Sequence, residues 1–209
     1  MDEYRIPTQN AEDEFVEKRS RFIGHIFHTE TEAEALAFLK QTREQHWDAK
    51  HNVYAYIIKD GPTRYSDDSE PQGTAGMPVL EVLRREEVYN VLCVVTRYFG
   101  GVLLGAGGLV RAYAKAAKLG LDAAGLSMKR VWDSVEIPCP YNLFDRVKLE
   151  LEAFEGIICD TQYGADVTLR TMFPSARTED FLAKLTDLTA GRVAGVVTGR
   201  EYRAFPIQK

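Results

Sequence analysis

The sequence has little cysteine and no long apolar run. Its three cysteines are odd in number, widely spaced and set among apolar residues: Cys93, Cys139 and Cys159. This pattern predicts reduced, buried thiols and argues against a disulfide framework. No apolar run reaches the roughly 18 residues of a membrane helix, and the first 20 residues are too acidic and polar for a secretory signal. We therefore expect a cytoplasmic protein with no membrane partner.

Several motifs that would identify an enzyme are also missing. The chain has no GxxxxGK[ST] phosphate loop, no GxSxG nucleophile turn and no histidines at zinc-ligand spacing. These absences argue against a P-loop nucleotidase, a serine hydrolase of that type and a zinc enzyme. We expect no resident cofactor. Whether the protein is an enzyme stays open at this point, although the missing motifs favour a protein without catalytic activity.

Charge is distributed unevenly along the chain. The net charge is −5, with 45% hydrophobic and 27% charged residues, as in ordinary globular proteins. Residues 88–130 nevertheless contain a single acid, Asp122, and six cations: Arg97, Arg111, Lys115, Lys118, Lys129 and Arg130. Such a basic segment indicates a polyanion-binding surface or simply a solvated face.

The first half of the chain alternates strands and helices. Thr31 is a candidate N-cap because acidic residues and good helix formers follow it. Pro78 falls in the first turn of another predicted helix, where a missing N–H costs little. We predict strands at 14–28, 52–60 and 90–99, helices at 32–46, 77–87 and 107–124, and an aperiodic loop at 61–76.

The second half has a different order. We predict strands at 131–139, 156–163, 165–173 and 192–205, and helices at 141–154 and 176–191, the latter capped by Thr178. The order β-α-β-β-α-β is that of a ferredoxin-like domain. The sequence therefore predicts an α+β protein with a βαβ-type domain at 1–131 and a ferredoxin-like domain at 132–209.

A glycine-rich stretch, RYFGGVLLGAGGLVRAYAKAAK (residues 97–118), connects a predicted strand to a predicted helix. Glycines allow close backbone approach, and a helix N-terminus presents N–H groups and a positive dipole to an anion. Arg111, Lys115 and Lys118 share one helical face. A neighbouring face, which would seat the helix on the sheet, carries Val110, Ala114, Ala117 and Leu121. The alternative is that these glycines serve only tight helix–strand packing.

The second candidate site, after the glycine-rich stretch, is the acidic stretch YSDDSEPQGTAG (residues 65–76). Asp67, Asp68 and Glu70 could hold Mg²⁺, or two of them could act as a general acid and base. Alternatively, they belong to a polar turn in which short side chains bond nearby backbone N–H groups. His51 lies beside Lys50 at the start of a strand, where a histidine is either structural or part of a site.

Three stretches together are similar to the IMPACT/YigZ family of translation regulators: DAKHNVYAYII, YSDDSEPQGTAGMPVLEVL and VVTRYFGGVLLGAGGLVRAYAKAA. The resemblance covers the whole chain. It implies that the N-terminal domain resembles a unit shared by a small-subunit ribosomal protein, elongation factor G and small-molecule kinases. It also implies that the second domain resembles the last domain of elongation factor G. Ser69 stands where the family pattern has glycine.

The resemblance assigns functional positions to both loops and to the start of the strand at His51. The matching residues are Arg97, Gly100, Gly101, Gly105, Gly107, Gly108, Asp67, Asp68, Glu70, Gly73, Thr74, Gly76 and His51. With Lys50, Arg111 and Lys115, the glycine-loop residues and His51 form our candidate surface for RNA or a ribosome-associated component. A Mg²⁺-dependent, kinase-like enzyme acting on a phosphorylated small molecule is the alternative, and a protein-interaction module is the second alternative.

Overall fold

The structure, a computed structural model, describes residues 3–207. The chain divides into two compact units. The N-terminal unit comprises residues 4–128 and 204–207, and the C-terminal unit comprises residues 3 and 129–203 of the described chain. No helix among the described residues has the length and apolar character needed to cross a bilayer.

The N-terminal unit is built around a five-stranded antiparallel sheet. Its elements are β1 (Tyr4–Pro7), β2 (Ala11–Glu17), β3 (Ser20–His28), α1 (Glu32–Gln45), β4 (His51–Ile57), β5 (Thr63–Ser66), α2 (Gly76–Arg85), β6 (Val91–Tyr98) and α3 (Ala106–Ala124). The sheet order is β2-β3-β6-β4-β5. Because β6 lies between β3 and β4 and is antiparallel to both, β3-α1-β4 forms a split βαβ unit. Helix α1 packs on one face of the sheet, and α2 and α3 pack on the other.

Two predicted segments of this unit were wrong. The single strand expected at 14–28 is a hairpin, β2 and β3, turned by Lys18 and Arg19 with φ of 44° and 67°. Two-residue hairpin turns favour Asn and Gly at such angles, so the basic pair gave no turn signal. The loop expected at 61–76 contains β5, which pairs with β4. The predicted Thr31 cap is confirmed, since its hydroxyl accepts the N–H of Glu34.

Helix α3 lies unusually close to β3. An added Cβ at Gly24 would overlap the carbonyl oxygen of Ala116, and one at Gly120 would lie 2.9 Å from the carbonyl carbon of Gly24. The face of α3 that seats it on the sheet is centred on Ala112, Tyr113 and Ala116. The predicted set was therefore partly wrong: Ala117 and Leu121 are buried, but Val110 is 39% exposed and Ala114 is only half-buried.

The C-terminal unit has the predicted β-α-β-β-α-β order. It contains β7 (Leu126–Cys139, whose first residues belong to the N-terminal unit), a 3₁₀ turn (Tyr141–Leu143), α4 (Phe144–Ala153), β8 (Ile157–Tyr163), β9 (Val167–Pro174), α5 (Ser175–Thr189) and β10 (Val196–Pro206, whose last residues belong to the N-terminal unit). Strand β7 lies between β9 and β10, and β8 pairs with β9. The α+β class is confirmed.

Two details of this unit differ from the prediction. Thr178 does not cap α5, because the helix begins at Ser175 and the Thr178 hydroxyl donates to the carbonyl of Pro174 from within the first turn. Cys159 is exposed, whereas Cys93 and Cys139 are buried as expected, and all three thiols are free. Cys159 lies on β8, whose side chains are largely exposed or half-buried, so an apolar sequence context did not imply burial.

Candidate functional site at the glycine-rich and acidic loops

The glycine-rich loop, residues 99–105, connects β6 to α3. Its glycines serve different purposes. An added Cβ at Gly100 would overlap the carbonyl group of Arg19, so this glycine lets the loop pack on the β2–β3 turn. Gly101 and Gly105 have φ of 81° and 74° with open space around them, and Gly105 directly precedes α3. Gly107 in the first helical turn is also open. Tight packing accounts for Gly100 alone among these four.

The acidic loop, residues 67–75, is held together by its own first aspartate. The Asp67 carboxylate accepts the N–H groups of Gly73 at 2.9 Å, Ala75 at 3.1 Å and Gly76 at 2.8 Å. Because α2 begins at Gly76, this carboxylate also lies at the positive end of that helix. The geometry is that of the polar turn considered as the alternative to a metal site.

The second aspartate joins the acidic loop to its neighbours. Asp68 accepts the N–H of Asn52 at 2.6 Å and an Arg43 Nη2–H at 3.2 Å. Both aspartates proposed for Mg²⁺ are thus engaged in protein hydrogen bonds. Within residues 3–207, no group of three or more His, Cys, Asp and Glu residues is placed to hold a metal ion.

Replacing Asp67 with alanine should loosen the acidic loop. Three backbone donors would lose their acceptor, and we expect the free energy of unfolding to fall by about 2–3 kcal/mol, since buried unsatisfied donors cost about 1–3 kcal/mol each and part of this loop is exposed to water. Urea denaturation measures this. The thermal midpoint of the wild type should not rise with millimolar Mg²⁺; a Mg²⁺-dependent rise that Asp67→Ala abolishes would restore the metal site.

Glu70, the third acid of this loop, is buried in a polar cluster. Its side chain is 4% exposed, and its Oε1 accepts Arg97 Nη1–H at 2.5 Å and Tyr113 Oη–H at 2.8 Å. Burial and the neighbouring negative charge of Glu70 raise the pKa of Tyr113, so the phenol stays a donor. Tyr113, on the buried face of α3, was not among the predicted site residues.

His51 completes the cluster, and its tautomer is fixed by a backbone carbonyl. Its Nδ1 lies 2.7 Å from the carbonyl oxygen of Asp68, which can only accept, so Nδ1 carries a proton. In the neutral ring, the lone pair is then on Nε2, which lies 3.6 Å from Oε1 of Glu70. The start of β4, the acidic loop and β6 therefore meet at one point.

These residues form the polar side of a cleft of about 400 Å³, which we name the loop cleft. Its polar lining is Lys50, His51, Glu70 and Arg97, and its other walls are Pro71, Phe99, Leu103, Leu104, Gly105, Ala106 and Leu109. Register explains part of the convergence, since His51 pairs with Arg97 across β4 and β6. Predicted residues from three separate stretches thus lie at one cleft.

Arg111 and Lys115 lie elsewhere. They line a second cleft, of about 260 Å³, together with Lys18, Glu17, Phe15, Leu104, Gly108 and Ala112. Arg97 is only 4% exposed and faces the loop cleft. Lys118 is ion-paired with Glu86 at 2.7 Å and Asp122 at 3.0 Å. The cations of the basic segment therefore line two different clefts, Arg97 the loop cleft and Arg111 and Lys115 the second, on either side of the first turn of α3. Lys18, which did not stand out in the sequence, joins the second.

The C-terminal unit has a cleft of about 510 Å³ lined by Arg130, Arg177 and Arg200. The three arginines are matched by three carboxylates: Arg130 pairs with Glu3 at 3.4 Å and with Glu155 at 2.6 Å, Arg177 pairs with Glu155 at 3.7 Å, and Arg200 pairs with Asp133 at 2.6 Å. Because these cations are neutralised, the N-terminal unit holds the better candidate site.

Comparison with known proteins gives two domain matches. Residues 18–121 match the Impact N-terminal domain, and residues 137–192 match a domain of unknown function, DUF1949. All of the predicted functional residues lie within the first match.

Similar proteins come from bacteria and eukaryotes. The chain is 37% identical to the IMPACT family member YvyE of Bacillus subtilis over 90% of this chain and 88% of that protein. It is 36% identical to the IMPACT family member YigZ of Escherichia coli, covering 83% and 87%. The Protein IMPACT homolog of Saccharomyces cerevisiae is 33% identical over 48% of this chain and 43% of its own length.

A solved structure supports the same relationship. This structure, described as "Crystal structure of an hypothetical protein", matches with a TM-score of 0.59 and 33% identity, and the match covers 95% of this chain and 98% of that one. Together with the relatives above, it extends the similarity over both units. The chain belongs to the IMPACT family.

Proposed function

We propose that this protein acts in translation as a binding protein that holds the phosphate backbone of RNA, free or within the ribosome. The observation that carries the proposal is the second cleft, where Lys18, Arg111 and Lys115 are exposed together beside Gly108. We name this surface, with Arg19 of the same turn, the basic face. Phosphate contacts of this kind give affinity without sequence specificity.

Local structure explains why these cations stay together. The carbonyl group of Arg19 packs on Gly100, which holds the β2–β3 turn against the glycine-rich loop. The Nζ of Lys115 lies 4.3 Å from the centre of the Phe15 ring, a cation–π contact that fixes the long side chain. Among the described residues that line the cleft, Glu17 is the one carboxylate, so the charge here is positive although the whole chain is acidic.

The first turn of α3 adds backbone donors to the basic face. The first N–H groups of a helix have no partner within it, and the helix dipole makes them attractive to phosphate. At Gly107 no side chain obstructs the approach: the nearest atom to an added Cβ would be Arg111 Nη1, at 3.7 Å. A phosphate seated here would meet N–H groups and Arg111 at the same time. The IMPACT family membership favours a partner in translation.

The Arg111→Ala/Lys115→Ala variant should bind single-stranded RNA more weakly for every sequence. Its plot of log affinity against log salt should flatten by about 0.7 for each phosphate that the variant no longer neutralises. A fluorescently labelled oligonucleotide, titrated at several salt concentrations, measures both effects. Lys148→Ala/Lys184→Ala removes the same charge from exposed positions of the C-terminal unit and should bind like the wild type. If both double variants keep the wild-type affinity and slope, the basic face is not the RNA surface.

A further inference from the structure

We propose that the loop cleft is a second, separate binding site, which takes a phosphate monoester carried by an apolar or aromatic body, such as a nucleoside monophosphate. It lies on the other side of the first turn of α3 from the basic face and shares only Leu104 with it. The inference rests on Arg97, Lys50 and the N–H of Ala106, whereas the basic face uses Arg111, Lys115 and the helix from Gly107 onwards. The two sites can therefore be tested separately.

The first observation is an unpaired buried donor. The Arg97 side chain is 5% exposed, yet its Nε–H has no hydrogen-bond partner among the described residues. Buried donors are nearly always satisfied, and an orphan calls for a ligand or water. Arg97 borders the loop cleft, so an anion there can reach the guanidinium. Its Nη1–H bond to Glu70 fixes the guanidinium in place.

The charge of the cleft also favours an anion. Lys50 is exposed at its edge and forms no ion pair within residues 3–207. Glu70 is the single carboxylate among the described residues of the lining, and it already accepts from Arg97 and Tyr113. Two cations therefore face one compensated carboxylate. Lys50 and Arg97 against Glu70 leave an excess of one positive charge in the lining, which favours the binding of an anion such as a phosphate.

The start of α3 supplies the anchoring point. Gly105 and Ala106 line the cleft, and Ala106 is the first residue of the helix. The N–H of Leu109 bonds to the carbonyl of Gly105, so the helical ladder begins only there and the earlier N–H groups are available. Arg97 and this helix terminus lie at the same cleft, which supplies both side-chain and backbone donors for a phosphate.

The remaining walls of the loop cleft favour a ligand with an apolar or aromatic group. Phe99 is 46% exposed and Leu103 is 81% exposed, so both side chains are free to contact a bound apolar group. The guanidinium of Arg97 lies 5.4 Å from the centres of both the Phe22 and Phe99 rings, so Phe99 is held over the cation at the mouth. A volume of about 400 Å³ lies within the usual range for small-molecule sites. One charged end and one flat apolar end fit this lining, whereas a continuous phosphodiester chain would leave the apolar walls unused.

Isothermal titration with adenosine 5′-monophosphate, adenosine and inorganic phosphate tests the site. We expect the monophosphate to bind at least about tenfold more tightly than either fragment, because it uses both halves of the cleft. Lys50→Ala should weaken it about fivefold or more. Ala106→Pro should do the same by removing one N–H, since proline is tolerated at the first helical position. Circular dichroism checks that both variants fold, and Leu103→Ala should weaken the monophosphate but not phosphate.

Two further titrations are needed. One distinguishes an RNA end from a free monophosphate as the ligand, and the other distinguishes the loop cleft from the basic face. In the first, a 5′-phosphorylated oligonucleotide is compared with its 5′-hydroxyl counterpart. Tighter binding of the phosphorylated form, lost in Lys50→Ala, would place an RNA end in the cleft. Equal binding of the two would leave the free monophosphate as the ligand of the cleft. Arg111→Ala/Lys115→Ala should bind adenosine 5′-monophosphate like the wild type. If the monophosphate binds no more tightly than adenosine, or if folded Lys50→Ala and Ala106→Pro bind it unchanged, the proposal is wrong, whatever the RNA titration shows.

Discussion

Glu70→Gln should lower the free energy of unfolding of this protein by about 3–5 kcal/mol, the usual cost of removing one partner of a buried ion pair. The substitution keeps the shape of the side chain and removes its charge, which leaves the Arg97 cation buried with a neutral acceptor. Tyr113 would lose the same charged acceptor. Urea denaturation followed by circular dichroism measures the loss.

A double variant separates charge from packing at this cluster. Glu70→Leu/Arg97→Met removes both charges and should recover part of the stability lost in Glu70→Gln, because apolar replacements of a whole buried pair are often neutral or stabilising. The recovery is incomplete because the buried Tyr113 hydroxyl loses its acceptor, which costs about 1–3 kcal/mol. A loss below about 1 kcal/mol in Glu70→Gln, the size expected for an exposed pair, would contradict the buried geometry. The recovered variant should still fail to bind the monophosphate in the loop cleft, since it lacks the arginine.

Gly24→Ala should be equally disruptive although it adds a single methyl group. The new Cβ would overlap the backbone carbonyl of Ala116, and a helix backbone cannot yield as a flexible side chain can. Helix α3 would have to move off β3, with an expected loss of about 3 kcal/mol or more, the upper part of the range for overpacked cores. Because the start of α3 borders both clefts, RNA affinity should fall as well.

Gly107→Ala is the matched control for Gly24→Ala. It adds the same methyl group in α3 itself, where the nearest atom would be Arg111 Nη1 at 3.7 Å. Alanine is a better helix former than glycine by up to about 1 kcal/mol, so the variant should be as stable as the wild type or slightly more so. Equal stability of Gly24→Ala and Gly107→Ala in urea would show that α3 does not pack on β3 as closely as described.

The sequence predicted the order of the elements well because the signals are local. Hydrophobic periodicity placed the helices, and the Thr31 cap followed from the residues after it. The hairpin at Lys18 and Arg19 was missed, since left-handed angles at two basic residues have no signature in composition. The burial of Arg97 was missed for a related reason: a cation next to glycines gives no indication that a glutamate 27 residues earlier will neutralise it.

Local sequence patterns were enough to establish the α+β class, the β-α-β-β-α-β order of the second half and the two loops that carry the candidate residues. The division of those residues between two clefts follows from tertiary packing instead. The pairing of β4 with β6 brings His51 opposite Arg97, and Asp67 folds the acidic loop so that Glu70 reaches both Arg97 and Tyr113. The first turn of α3 then separates Arg97 from Arg111 and Lys115. Helical spacing and charge are properties of short segments, whereas a cleft is made by segments that lie far apart in the chain. Whether those segments meet depends on strand register and on glycines that are small enough to let a helix approach a sheet.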